Sequence, residues 1–215
     1  MFFDLHTHRI PIDQDVTAIV SVDASNPVMP AYTYLSVGVH PRDADIPGFF
    51  FSEAMAMSPG VVAIGETGLD KMAAASLAQQ KELFTTHIVL AEKTHKPLII
   101  HCVKAWQELI HLRKQYTSDI PWIIHGFRGN GRLARQLLQF GFYFSFGPYF
   151  QLDALRIAWT THRLYAETDD SGISIIEVYR RITSQLSISC EALSHEIAAN
   201  IQSWPNRQCF NLDLA

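Results

Sequence analysis

Residues 97–102 read PLIIHC and residues 121–127 read PWIIHGF. Each is a short apolar run opened by a proline and closed by a histidine. Runs of this length and branching fit strands that are covered on both faces. The same form recurs outward along the chain, in FFDLHTH (2–8), LSVGVHP (35–41), VVAIGETGLD (61–70) and RLYAETDD (163–170). Together the runs deliver His6 and His8, His40, Glu66, His101, His125 and Asp169. In parallel α/β folds the carboxyl ends of the strands converge on one face, which carries the site. Histidines and carboxylates collected at one rim point to a metal centre.

Strands are expected at 2–6, 16–22, 34–39, 61–66, 97–101, 121–125, 142–146 and 164–167. Helices are expected at 76–95, 104–117, 130–140, 151–160, 172–187 and 189–204. In the first of these, Leu77, Leu83, Phe84, Ile88 and Ala91 share one side at helical spacing. The alternation predicts an α/β fold, a TIM-type (β/α)8 barrel, with residues 1–215 forming a single domain. The barrel is expected to be distorted, its first crossover helices shortened or missing. Only Arg9 to Asp15 separate the first two strands, and Pro11 lies among them. That is too short for a normal crossover helix. The next connection, 23–33, holds Pro27 and Pro30 and reads as loop. In DVTAIVSV (15–22), Val16, Ala18, Val20 and Val22 alternate with Thr17, Ile19 and Ser21. The outer face of this strand should therefore lack a helix of its own. Solvent, the C-terminal segment or another subunit would meet it.

Hydrophobic residues make up 48% of the chain and charged residues 18%, a globular rather than a disordered balance. The longest apolar stretches are too short to span a bilayer, so no membrane association is expected. No basic segment precedes an apolar one at the start, so no signal peptide is expected. Cys102, Cys190 and Cys209 form no CxxC pair and read as reduced thiols of a cytoplasmic protein. The formal net charge of −4 argues against coating nucleic acid by bulk charge. A local basic rim remains compatible with phosphate binding.

His6-Thr7-His8 places two imidazoles on one side of an extended chain. Asp4 precedes them by two and is expected to point inward or to orient an imidazole. Glu66 ends a buried strand, where a carboxylate is costly unless paired or coordinated. It has two oxygens, enough to bridge two ions. Asp70 reads equally as a cap or a site residue. Glu167 shares a face with Asp169, while Asp170 reads as a solvated loop residue. His40 reads as a ligand or a substrate contact. His87, His95, His111, His162 and His195 read as structural or surface residues. This donor set suits Zn²⁺, Mn²⁺, Fe or Co²⁺, with Mg²⁺ also possible. Asp169 is the candidate proton acceptor. The residues alone therefore indicate a metal-dependent hydrolase, with the bond it cleaves left open.

FDLHTH, GVHP, GETGLD, IIHC, HGF and ETD occur in an order that resembles the TatD-type metal-dependent deoxyribonucleases, of the amidohydrolase-like barrel superfamily. The resemblance covers nearly the whole chain. It implies a TIM-type barrel, one or two divalent ions (Mg, Mn or Zn), and phosphodiester hydrolysis on DNA, often from the 3′ end of single strands. It further implies that His6, His8 and Asp169 bind one ion, that Glu66 bridges, and that His101 and His125 bind the second. Asp169 would also act as base, and His40 would touch substrate.

The chain departs from the family pattern as a shortened branch would. The loop after the first motif is cut to RIPIDQD. Cys102, Val103 and Lys104 stand where Ser-Arg often follows the IIH strand. Lys71 and Met72 follow GLD, and Arg128, Gly129 and Asn130 follow HGF. The expected substrate contacts are His40, Lys104 and Arg128, from a basic rim that also includes Arg9, Arg42 and Lys71. The competing expectations are a small-molecule amidohydrolase or phosphoesterase on the same ions, and a metal-binding scaffold without turnover.

Overall fold

The computed structural model of the chain describes residues 1–25, 30, 34–46 and 51–210. Eight strands lie side by side in sequence order, all parallel. They are β1 (Phe2–Thr7), β2 (Val16–Asp23), β3 (Leu35–Gly38), β4 (Val61–Asp70), β5 (Leu98–Val103), β6 (Trp122–Ile124), β7 (Phe142–Phe146) and β8 (Leu164–Ala166). The helices are α1 (Glu53–Ala56), α2 (Leu77–Thr94), α3 (Trp106–Gln115), α4 (Gly131–Leu138), α5 (Leu152–Thr160), α6 (Ile175–Leu186) and α7 (Cys190–Gln202). A single bridge between Thr7 and Asp169 joins the two ends of the sheet and closes the barrel. The eight strands agree with the sequence reading except that β4 runs on to Asp70 and β6 and β8 are short.

The early crossovers are reduced, as the short connections predict. Residues 8–15 contain no helix, and the described part of 24–34 contains none; residues 26–29 and 31–33 lie outside the described residues. Between β3 and β4 there is a 3-10 turn, Pro41–Asp43, and the single turn of α1. That helix escapes periodicity because four residues cannot show a repeat. From α2 onward the helices are longer, and α2, α4, α6 and α7 carry side-chain N-caps. Ser76 and Gln79 form a reciprocal capping box at the start of α2, satisfying two backbone donors. Phe84, Ile88 and Ala91 are buried on its inner side, with Leu77 and Leu83 packed beside them.

β2 departs from the expectation for its outer face. Ser21, Val22 and Asp23, at the end of the strand, line the cavity that holds His8, His40 and Glu66. Val16 and Ala18 face a cleft walled by Ile10, Ile12 and the start of α6. The face is thus partly covered by the shortened loop and by α6. Residues 204–210 go elsewhere, to the mouth of the barrel where the strands begin. There Phe210 meets Phe3, Tyr34 and Trp204, and Asn206 donates to the Val62 carbonyl. Trp204 is fully buried and its indole N–H donates to the Tyr165 hydroxyl at 2.7 Å. Truncating such a side chain to alanine costs about 3–5 kcal/mol.

Candidate metal centre

Glu66 reaches the barrel axis because β4 is irregular beside it. Ile64 pairs with Leu98 and Thr67 with Ile100, so three steps on β4 match two on β5. The glycines flanking Glu66 make room for this. A Cβ at Gly65 would stand 2.4 Å from the Ile99 carbonyl oxygen, and one at Gly68 would stand 2.0 Å from that of His101. Both glycines have positive φ, at 147° and 143°. The GETG motif is therefore a steric requirement of the neighbouring strand.

The two oxygens of Glu66 face different partners. Oε1 lies 2.9 Å from His101 Nδ1, 2.9 Å from His125 Nε2 and 3.4 Å from His40 Nε2. Oε2 lies 3.5 Å from His6 Nε2 and 3.8 Å from His8 Nε2. Asp169 completes the second group, with Oδ1 at 3.7 Å from His6 and 3.4 Å from His8. Burial alone would raise the Glu66 carboxyl. The imidazoles of His125, His101 and His6 outweigh burial and hold it well below the usual carboxylate range. Burial would likewise lower His125, but Glu66 and Glu167 raise it well above its ordinary value.

These residues fit a divalent ion. His6 is fully buried, and neither of its ring nitrogens has a hydrogen-bond partner. A buried imidazole without hydrogen bonds is costly, and an ion at Nε2 would give that nitrogen a partner. Ligand atoms of His6, His8 and Asp169, of His6, Glu66 and His125, and of His40, Glu66 and His101 each lie within 4.8 Å of one another. A fourth group, His125, Glu167 and Asp169, meets the same limit.

A further layer orients these donors. His101 turns Nε2 toward Asp70 Oδ2 at 3.4 Å. Asp70 is held in turn by Gln80, whose side chain accepts from the Asp70 N–H at 2.7 Å and donates to its carbonyl at 2.9 Å. Asp70 also accepts from the Met72 N–H, so it is both a turn residue and a neighbour of the site. His125 Nδ1 lies 3.4 Å from Glu167, which accepts the Gly126 N–H at 2.6 Å. His40 Nδ1 accepts from the Arg42 backbone N–H and from its Nε–H, both at 3.0 Å. A neutral ring that accepts at Nδ1 carries its proton on Nε2, so His40 presents an N–H donor to the site. Burial keeps this ring neutral, pushing its pKa down to about 4.

Asp4 does not point inward. A bulge in β1 pairs Asp4 with Ala18 and Thr7 with Val20, giving β1 one extra residue and separating the facing of Asp4 from that of His6. Asp4 instead accepts from the Thr168 N–H at 3.0 Å and its hydroxyl at 2.6 Å. This anchors the segment that carries Asp169. Asp169 has φ of 53°, a left-handed conformation that Asp tolerates better than most residues. Its N–H donates to the His6 carbonyl at 2.9 Å. Burial would raise the Asp169 carboxyl, but the His8 hydrogen bond and the charges of His125 and His6 bring it to about 2. Asp170 is exposed.

The basic rim is partly committed elsewhere. Lys71 pairs with Glu108 at 2.8 Å, and Lys104 Nζ lies 3.5 Å from the Met72 sulfur. Arg128 is exposed and stacks over the Tyr149 ring at 5.6 Å. Arg9 is exposed near Gly172.

Residues 7–172 match the family model for TatD-related DNases, a span that takes in every rim residue named above except His6. The chain belongs to this family. It is 34% identical over 121 residues to the uncharacterised metal-dependent hydrolase YabD of Bacillus subtilis, covering 54% of this chain and 48% of that protein. It is 31% identical over 181 residues to the 3′-5′ ssDNA/RNA exonuclease TatD of Klebsiella pneumoniae, covering 79% and 68%. The chain spans about half the length of relatives such as YabD and the Escherichia coli K12 hydrolase YcfH, at 48% and 43%. Among solved structures, a TatD-family hydrolase from Entamoeba histolytica superposes with a TM-score of 0.74 at 17% identity, covering 95% of this chain and 98% of that one. The TatD homologue YJJV from Escherichia coli gives 0.71 at 19%, covering 98% of each. These two show a shared barrel fold. The reduced early crossovers are features of this TatD-family chain, as is the Gln80 clamp, which the sequence pattern alone does not reveal. Among the described residues no helix is long and apolar enough to cross a membrane.

Proposed function

We propose that the chain is a divalent-metal-dependent hydrolase that cleaves phosphodiester bonds of DNA, acting on single-stranded ends. The observation that carries this reading is the division of Glu66, one oxygen toward His101 and His125 and the other toward His6 and His8. In this reading His6, His8, Glu66 and Asp169 would hold one ion, and His101 and His125, with Glu66, would hold a second. Mg²⁺, Mn²⁺ or Zn²⁺ bound there would polarise a phosphoryl oxygen and make hydroxide available near neutral pH. Asp169, ionised throughout the neutral range, accepts the proton of the attacking water. His40 donates its Nε2–H to a phosphate oxygen. Lys104 and Arg128 bind phosphates at the rim. Support for nucleic acid comes from relatives named as 3′-5′ ssDNA/RNA exonucleases.

A second reading, a small-molecule phosphoesterase or amidohydrolase, is favoured by one observation. The cavity of about 290 Å³ beside Glu66 and His40 is lined by Asp23 and Asp43 against one arginine, Arg42, among its described lining residues, an acidic balance that disfavours a polyanion. A screen of single-stranded DNA, duplex DNA, RNA and small esters with each ion tests both. Turnover of single-stranded DNA well above that of small esters supports the nuclease reading. Turnover confined to small esters overturns it.

A further inference from the structure

The described surface has a second concentration of positive charge, outside the metal centre. A groove of about 640 Å³ runs between the loop after β7 and the exposed side of α6. Pro148, Tyr149 and Phe150 supply one wall; Arg180, Arg181 and Gln185 supply the other. Arg128 overhangs it, stacked on Tyr149. Glu177 is the single carboxylate among the described lining residues, and it bonds Arg181 at 3.0 Å and approaches Arg180 at 4.0 Å. Two guanidinium groups thus share one carboxylate in the groove and a third stands over Tyr149, on a chain whose formal net charge is −4. The Tyr149 ring beside them is 59% exposed, so one large aromatic face is left in water.

One wall of the groove starts beside the site. Gly147 packs against Glu167, which orients His125, and the loop bearing Tyr149 leaves from that glycine. Arg128 follows His125 by three residues on the neighbouring loop. A strand lying across His125 would leave the rim over these two loops.

We propose that this groove holds the part of a single-stranded nucleic acid that extends beyond the metal centre, with a base stacked on Tyr149 and phosphates on Arg180 and Arg181. This rests on the nuclease reading above. Cations paired with an exposed ring are the chemistry of sequence-tolerant single-strand binding. A duplex does not satisfy it, because paired bases have both faces occupied by their own neighbours.

The test is fluorescence anisotropy with a 5′-labelled oligothymidylate in EDTA, where nothing is cleaved. Tyr149→Ala should weaken binding roughly 5- to 100-fold, and Tyr149→Phe, which keeps the ring, should stay within about twofold of the parent. The double variant Arg180→Gln/Arg181→Gln should reduce the slope of log affinity against log salt by about 1.4. Hydrolysis of bis(p-nitrophenyl) phosphate by the metal-loaded variants should equal the parent's, separating groove from centre. Parent-like binding by Tyr149→Ala and by the double variant overturns the groove, while oligonucleotide cleavage by the parent leaves the nuclease reading standing. Loss of binding in the variants, with no cleavage of any oligonucleotide by the parent, upholds the groove and sinks the nuclease reading. No binding by the parent, or equally tight binding of duplex with the same losses, overturns the inference.

Discussion

His125 Nδ1 lies 3.4 Å from Oε1 of Glu167, a carboxylate with no solvent exposure, while its Nε2 faces Glu66 at 2.9 Å. Glu167 therefore sets which nitrogen of the ring is offered to the centre. Glu167→Gln keeps the acceptor for the Gly126 N–H but removes the charge opposite the ring. Losing such a partner typically weakens metal binding about 10- to 100-fold. Titration calorimetry with Mn²⁺ or Zn²⁺ should show that drop with the fold intact. Affinity within about threefold of the parent would exclude a positioning role for Glu167.

Asp169→Asn should nearly abolish turnover while retaining substantial metal binding. The amide keeps an oxygen, and Asn tolerates the left-handed backbone seen at this position. It cannot accept a proton from water. Removal of a single base costs about 10²–10⁴-fold in rate. Activity within a few-fold of the parent in metal-saturated buffer would remove Asp169 as the base.

Bound ions should stabilise the fold through Glu66. At an ion concentration about 100 times Kd, linkage contributes roughly 2.7 kcal/mol, or about 5–10 °C in Tm for a chain of this size. Glu66→Gln should shrink that increment to about 2 °C or less. An unchanged increment in the variant would place the ion elsewhere.

His87 should make stability depend on pH. It is fully buried, accepts the Val39 N–H at Nε2, bonds the Leu83 carbonyl through Nδ1 and stacks on Phe51. Burial pushes its pKa down to about 4 from 6.5. The unfolded chain therefore takes up the proton more readily than the folded one. The stability at stake is complete above about pH 6.5 and is lost as pH falls towards 4, up to about 3 kcal/mol. His87→Leu should be less stable at pH 7.5, because Val39 loses its acceptor, but should lose less on acidification. Urea titrations at pH 7.5 and 4.5 compare the two. Equal losses in parent and variant would exonerate His87.

Most of the barrel can be read from periodicity because its strands are buried on both faces and its later helices are amphipathic. The rim residues are equally legible, since each ends an apolar run where a polar side chain needs a reason. What escaped is what depends on register. The bulge that separates Asp4 from His6 has no one-residue signature. Gln80 looks like any polar helix position, yet it is buried and clamps Asp70. Tyr149, Arg180 and Arg181 are brought together only by the packing of α5 and α6, from segments that look unrelated in the sequence. The GETG glycines were a readable signal, since two glycines around a buried carboxylate imply close backbone approach.

The barrel closes where the site is. Its first and last strands meet through the Thr7–Asp169 bridge, supported by Asp4 and Thr7 on Thr168. Residues 161 to 164 positions apart thus form both the closure and half of the candidate ligand cluster. Contacts of such high contact order slow folding, because long loops must close before the contacts reward them. His6, His8 and Asp169 come together only when the two chain ends meet, so cation uptake there should follow barrel closure during refolding.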